Sequence, residues 1–126
     1  MMQQTFKKAE RLKSKKIINS LFSDGKSFVE KPFRIVWKLE KLDSDFPVQI
    51  AISVSKKNFS KAVDRNLIKR RIREIYRRNK EILYATLENN NQQCAFMIIY
   101  ISKEIGDYKK MEEGLLKALN SLKEKL

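Results

Sequence analysis

The chain has 126 residues, 42 % of them apolar, and its 28 Lys/Arg against 15 Asp/Glu leave a net charge of +13. That length suits one compact domain, and no apolar run approaches the ~20 residues needed to cross a bilayer. With no histidine and one cysteine, Cys94, the chain is excluded from His-based acid–base catalysis, Cys/His zinc centres and an internal disulfide.

Residues 1–16 are polar and basic, with no apolar stretch to serve as a secretory signal, which points to the cytoplasm. Residues 1–13 read as a flexible basic arm whose Lys7 and Lys8 order on binding. From Ser14 to Phe22, the pairs Ile17/Leu21 and Ile18/Phe22 repeat at i,i+4, the spacing of a short amphipathic helix, and Gly25 suits a left-handed residue that ends it. Phe33 to Leu39 alternates, with Phe33, Ile35, Trp37 and Leu39 on one face and Arg34, Val36 and Lys38 on the other. Turn residues at 43–47 and a second alternating run at 48–54 predict that these two strands form a β-hairpin.

Residues 60–87 carry no Gly or Pro. Ile68, Ile72, Ile75, Tyr76, Ile82 and Leu83 recur on one helical face, Ser60 is placed to cap the start, and Asp64 sits at the positive end of the dipole. Residues 89–93 form a polar loop. The unbroken apolar run Cys94 to Tyr100 suggests a strand covered on both faces. Asp107 then caps a last helix with Tyr108, Met111, Leu115, Leu119 and Leu122 as its buried stripe. The expected fold class is α+β, a small mixed sheet packed with helices in the order α-β-β-α-β-α, within one domain spanning residues 1–126. The long helix would join two parallel neighbours in a βαβ unit.

Charge is unevenly distributed along this order. Residues 56–80 hold eleven Lys/Arg against two acids, whereas residues 81–126 hold six against seven. A one-sided positive field is the footprint of a protein that meets a polyanion, with nucleic acid the first candidate and an anionic membrane surface the second. On the long helix Asn66, Lys69, Arg70, Arg73, Arg77 and Lys80 fall within an arc of about 100°, opposite the apolar side. An ordinary solvated face would mix signs, with Glu four residues before Lys. Here only Asp64 and Glu74 are acidic, and like charges at i,i+4 repel unless a partner neutralises them. Six arginines between Arg65 and Arg78 favour bidentate phosphate recognition. A membrane-surface helix would need a free apolar face, and this one spends its apolar face on the core.

The segments Ser53-Val-Ser-Lys-Lys57 and Lys61-Ala-Val-Asp-Arg65-Asn66-Leu-Ile-Lys69-Arg70-Arg71-Ile-Arg73-Glu74 closely resemble the signature of the ribonuclease P protein subunit family. Arg11-Leu12-Lys13, Phe22 and Gly25 match as well, so the resemblance covers roughly residues 10–122. It implies an RNA-binding domain that is a cofactor of ribonuclease P, supporting endonucleolytic removal of the 5′ leader from precursor tRNA. The implied partners are the catalytic RNA subunit and precursor tRNA, with no membrane and no obligate protein partner. It further implies that Lys56, Lys57, Lys61, Arg65, Asn66, Lys69, Arg70, Arg73 and Arg77 bind the catalytic RNA, and that the βαβ crossover is left-handed, against the usual rule. The family's leader cleft maps onto Ile18, Phe22 and Val36, with Arg34 and Lys38 on the same strand face to grip phosphates. Aromatics are common at the first three positions because they stack on unpaired bases. Only Phe22 is aromatic here, and the alternative is that Ile18 and Phe22 simply pack in the core.

No catalytic constellation accompanies these residues. Asp43 and Asp45 suit a turn, and Asp64 and Glu74 are ten residues apart at different helical phases. The expectation is therefore a catalytic centre on the RNA, with Mg²⁺ entering through the RNA subunit and substrate and none bound by the protein alone. A ribosomal or assembly protein of the same fold and a protein-only nuclease are the competing readings.

Overall fold

A computed structural model describes residues 6–126. The elements in chain order are a 3₁₀ turn at Lys8–Glu10, α1 (Lys15–Asp24), β1 (Lys26–Glu30), β2 (Phe33–Leu39), β3 (Val48–Val54), α2 (Ala62–Asn79), α3 (Glu81–Asn89), β4 (Cys94–Tyr100) and α4 (Tyr108–Lys125). The expected α+β order is present, with one added strand and a break in the long helix.

The four strands lie in the order β1-β2-β4-β3. Antiparallel β2 pairs Phe33 with Tyr100 and Leu39 with Cys94, and parallel β3 pairs Val48 with Cys94 and Val54 with Tyr100. The predicted hairpin between β2 and β3 is therefore absent: β4 lies between them. The reason is burial. β4 is apolar on both faces and all but one of its residues are buried, so it takes a central position with a partner on each side. β2 finds its hairpin partner in β1, through a turn that contains cis Lys31–Pro32. The parallel connection from β3 to β4 runs through α2 and α3, as the βαβ reading expects.

Strand alternation divides the core in two. Phe33, Ile35, Trp37, Val48, Ile50, Phe96 and Ile98 face α2, α3 and α4, whose Ile68, Ile72, Ile75, Leu83, Leu115 and Leu119 are all fully buried. On the opposite face Val36, Ala95 and Met97 meet Leu12 and Leu21, with Ile17 and Ile18 packed against them. The stripe expected on the last helix is in place, and Asp107 caps it by accepting from Lys110 N at 2.8 Å. Ser60, by contrast, does not cap α2: Lys61 holds that position without a side-chain bond, while the Ser60 carbonyl accepts from Arg65 Nη1 at 3.0 Å.

Two glycines permit close approach. Gly25 ends α1 with φ −67°, extended rather than left-handed, because its role is steric: a Cβ there would collide with the Leu21 carbonyl. At Gly114 a Cβ would come within 2.7 Å of Pro32 Cδ, so α4 packs directly on the β1–β2 turn.

The long helix breaks at Lys80, which ends α2 and begins α3. Asn79 Nδ2 donates to the Ile75 carbonyl at 2.8 Å, a side-chain bond to the acceptor its own backbone would use. Lys80 itself turns inward, 2 % exposed, and pairs with Glu10, which is fully buried. Tyr84 Oη donates to the same carboxylate at 2.6 Å and Lys7 N to its other oxygen at 2.6 Å. The segment expected to be a flexible arm is thus docked from Phe6 to Lys13, and residues 1–5 lie outside the described residues. Leu12 N donates to the Ile50 carbonyl at 2.7 Å, so this segment runs along the free edge of β3.

Candidate nucleic-acid interface

The periodicity that buries Ile68, Ile72, Ile75 and Tyr76 necessarily turns the remaining phases of α2 outward. Asn66, Arg70 and Arg73 are exposed and Lys69 is half-buried beside them. Lys56 and Lys57 are exposed just upstream, in a turn fixed by Ser55 Oγ, which accepts from Lys57 N at 3.0 Å. Lys61 is exposed at the helix start. The crossover thus carries Lys56, Lys57, Lys61, Asn66, Lys69, Arg70 and Arg73 on accessible surface.

Four cations counted in or near this arc behave differently. Arg65 donates from Nη1 to the Phe59 carbonyl at 2.8 Å, tying its guanidinium to the loop before α2. Arg77 is half-buried and held by Glu74 at 2.6 Å, and Arg78 reaches the same carboxylate at 3.0 Å. The Arg77 hydrogen bond is the main cause that holds the Glu74 carboxyl below its usual range. Lys80 is in the core. The wheel puts these side chains on one stripe, but neighbours in space decide which remain available. On the inner flank, Arg71 Nη1 donates to the Gly106 carbonyl at 3.0 Å and fastens α2 to the loop before α4.

The second group of candidates surrounds α1. Phe22 is 63 % exposed, a large aromatic face turned to solvent. Ile18 is half-buried against the smaller core cluster, and Val36 is 7 % exposed beneath α1, within that cluster. Arg34 is exposed on the same strand face. Lys38 is not free: Nζ donates to Ser20 Oγ at 2.6 Å and lies 3.4 Å from Asp24 and 3.3 Å from Glu40. Burial alone would lower its pKa, but the bonds to Glu40 and Asp24 outweigh that and shift it up. The structure therefore brings Phe22 and Arg34 to the surface, while Val36 and Lys38 are engaged by the protein itself.

Acidic and nucleophilic groups form no comparable site. The Cys94 thiol is buried, and burial pushes its pKa up to about 12, far from a reactive thiolate. Among the described residues no three His, Cys, Asp or Glu side chains stand close enough to hold a metal ion, and no helix is long and apolar enough to cross a membrane.

Sequence and fold comparisons agree with one another. The sequence profile of the family described as Ribonuclease P matches residues 6–126. A ribonuclease P protein component from Porphyromonas gingivalis is 36 % identical over 112 residues, covering 89 % of this chain and 82 % of that relative. Its counterpart from Petrotoga mobilis is 46 % identical over 77 residues, covering 61 % of this chain and 62 % of the relative. The solved ribonuclease P protein from Thermotoga maritima superposes with a TM-score of 0.70 at 28 % identity, covering 89 % of this chain and 96 % of that one. A Staphylococcus aureus ribonuclease P protein, a mutant described as defective in mRNA degradation activity, gives a TM-score of 0.73 at 26 % identity over 92 % and 90 % of the two chains.

Proposed function

The chain belongs to the ribonuclease P protein family, a component of the ribonucleoprotein that processes tRNA, and from that premise we propose that it binds the catalytic RNA through the outer face of α2 and steadies the 5′ leader of precursor tRNA beside α1. The observation that carries this reading is the charge of α2. Lys69, Arg70 and Arg73 share one outward face, and none of them belongs to an ion pair among the described residues. Unneutralised cations at helical spacing repel one another, and a polyphosphate chain removes that cost while releasing its own counterions. Lys56, Lys57, Lys61 and Asn66 extend the same surface, and Arg65 and Arg77 lie at its margins with internal partners.

For the leader, the support is narrower. Phe22 offers an exposed stacking platform and Arg34 an exposed cation on the strand face that α1 covers, which suits a single strand bound with little sequence preference. Ile18 and Val36 shape the floor by packing rather than by stacking. Lys38, committed to Ser20, Asp24 and Glu40, orients α1 on the sheet instead of gripping a phosphate.

In this reading the protein is one RNA-binding domain acting in the cytoplasm, and bond cleavage belongs to the RNA. Phosphates of the RNA and substrate hold the catalytic Mg²⁺, and the protein lends binding energy and charge neutralisation. The test is reconstitution. Protein freed of nucleic acid should leave precursor tRNA intact, yet accelerate cleavage by its ribonuclease P RNA when Mg²⁺ is limiting. Cleavage by the protein alone, or equal rates with and without it, rejects the proposal. Phe22→Ala should weaken binding of a leader-bearing substrate by about 1–3 kcal/mol, the value of one lost base stack. A substrate lacking the leader should bind equally well to both.

A further inference from the structure

The segment before α1 does more than close the core. Its backbone lies along the free edge of β3, through Leu12 N to the Ile50 carbonyl and through Gln49 Nε2, which donates to the Ala9 carbonyl at 3.0 Å. Arg11 and Lys13 are thereby carried to the side of the sheet where the outer face of α2 emerges. There they line one cleft of about 250 Å³ together with Lys69 and Arg73, with Phe6 and Ala51 among its walls. It is an open groove, able to seat a backbone phosphate that remains in contact with solvent.

Two features argue that the cleft is built and not incidental. First, it is anchored: the buried Glu10 carboxylate, one residue from Arg11, is fixed by Lys80 and Tyr84. Phe6 meets Tyr76 edge-on at 6.0 Å, and the Arg11 guanidinium lies 5.4 Å from the Phe6 ring centre. Second, its charge is uncompensated. Among the described residues none of Arg11, Lys13, Lys69 and Arg73 takes part in an ion pair, whereas Lys38, Arg77, Arg78 and Lys80 all do. Four like charges around one small concavity, held from two elements far apart in sequence, concentrate positive potential where an anion would sit.

The geometry points to a composite phosphate-binding site in which Arg11 and Lys13 of the N-terminal segment join Lys69 and Arg73 of α2 around one stretch of the catalytic RNA's phosphodiester backbone. This rests on the proposed RNA-binding role of α2 and extends it to residues outside that helix. The occupant is assigned to the catalytic RNA because the cleft is continuous with the α2 face, while Phe22, on α1, lines no part of it.

The experiment measures affinity of the full-length protein for its own ribonuclease P RNA between roughly 50 and 200 mM salt, where each lost phosphate contact makes the log–log slope shallower by about 0.7–0.9. The double variant Arg11→Ala/Lys13→Ala should lose roughly 1.4–1.8 of slope by that measure, as should Lys69→Ala/Arg73→Ala. The charge-conserving Arg11→Lys/Lys13→Arg should keep most of the slope, which separates loss of charge from loss of folding. An unchanged slope in Arg11→Ala/Lys13→Ala, with a reduced slope in the α2 pair, overturns the composite site and leaves the role of α2 standing. Unchanged slopes in both pairs overturn both. A loss confined to precursor-tRNA binding by the holoenzyme, with RNA-subunit affinity intact, overturns the assigned occupant.

Discussion

Helices α2 and α4 are each eighteen residues long and pack against one another on the same face of the sheet, yet they present opposite charge designs to solvent. α4 has five lysines and three glutamates, with Lys109 and Lys110 three or four residues ahead of Glu112 and Glu113. α2 has seven Arg/Lys against two acids, and six of the seven are arginine. Both bury an aliphatic stripe of similar depth, so the core does not explain the difference. A helix that only covers a sheet is free to mix its outer charges. One that leaves them unmixed is paying in self-repulsion for something outside the fold.

The largest effect expected from testing this contrast is on stability, at the residue where α2 ends. Lys80 is cationic like its neighbours but structural, so Lys80→Met should strand the buried Glu10 carboxylate and cost about 3–5 kcal/mol, seen as a lower denaturant midpoint. Adding Glu10→Gln, whose Oε1 can accept from Lys7 N while its Nε2 donates to a reoriented Tyr84 Oη, should recover most of that loss. A Lys80→Met protein as stable as the parent would show the pair to be dispensable. Next comes the contrast itself. Arg70→Ala/Arg73→Ala should flatten the salt dependence of RNA binding by about two contacts, roughly 1.4–1.8 in slope, while Lys109→Ala/Lys117→Ala on α4 should leave it nearly unchanged. Equal effects on the two helices would break the distinction between them.

The smallest effect concerns Glu74, the acid at the border of the outer arc. Its folded pKa lies below the unfolded value near 4.3, mainly because Arg77 bonds to it. Its stabilising contribution is therefore present above that pH and lost as pH falls through the lower, folded pKa. Glu74→Gln should remove that part of the acid sensitivity, read from denaturant midpoints between about pH 2 and 6, and change nothing near neutrality beyond the small loss of an exposed pair. An undiminished acid response would show that Arg77 and Glu74 do not interact in solution.

Periodicity made α2, α4 and the central β4 legible in the sequence, because each is long and its apolar pattern is unbroken. β1 escaped notice since Lys26, Ser27 and Glu30 give it little apolar signal; as an edge strand it needs only Phe28 against the core. The supposed β2–β3 hairpin followed from adjacency in sequence, whereas burial of β4 on both faces decides the pairing. Among site residues, the exposed face of α2 was visible from spacing alone. The commitments of Lys38 to Asp24 and of Lys80 to Glu10 were not, because they join residues 14 and 70 positions apart. The same limit hid the meeting of Lys13 with Lys69, for which the sole local sign was a pair of cations flanking an apolar Leu12.

The parallel pairing of β3 with β4 has one more consequence. Antiparallel neighbours can be joined by a tight turn, but parallel ones need a crossover, and here the crossover is the arginine-bearing helix. That helix cannot fray or swing aside without unpicking the sheet it bridges, so its amide protons should exchange among the slowest in the molecule. In the proposed complex the guanidinium groups would therefore meet the RNA from a backbone already frozen in place, with little ordering entropy left to be lost at the encounter.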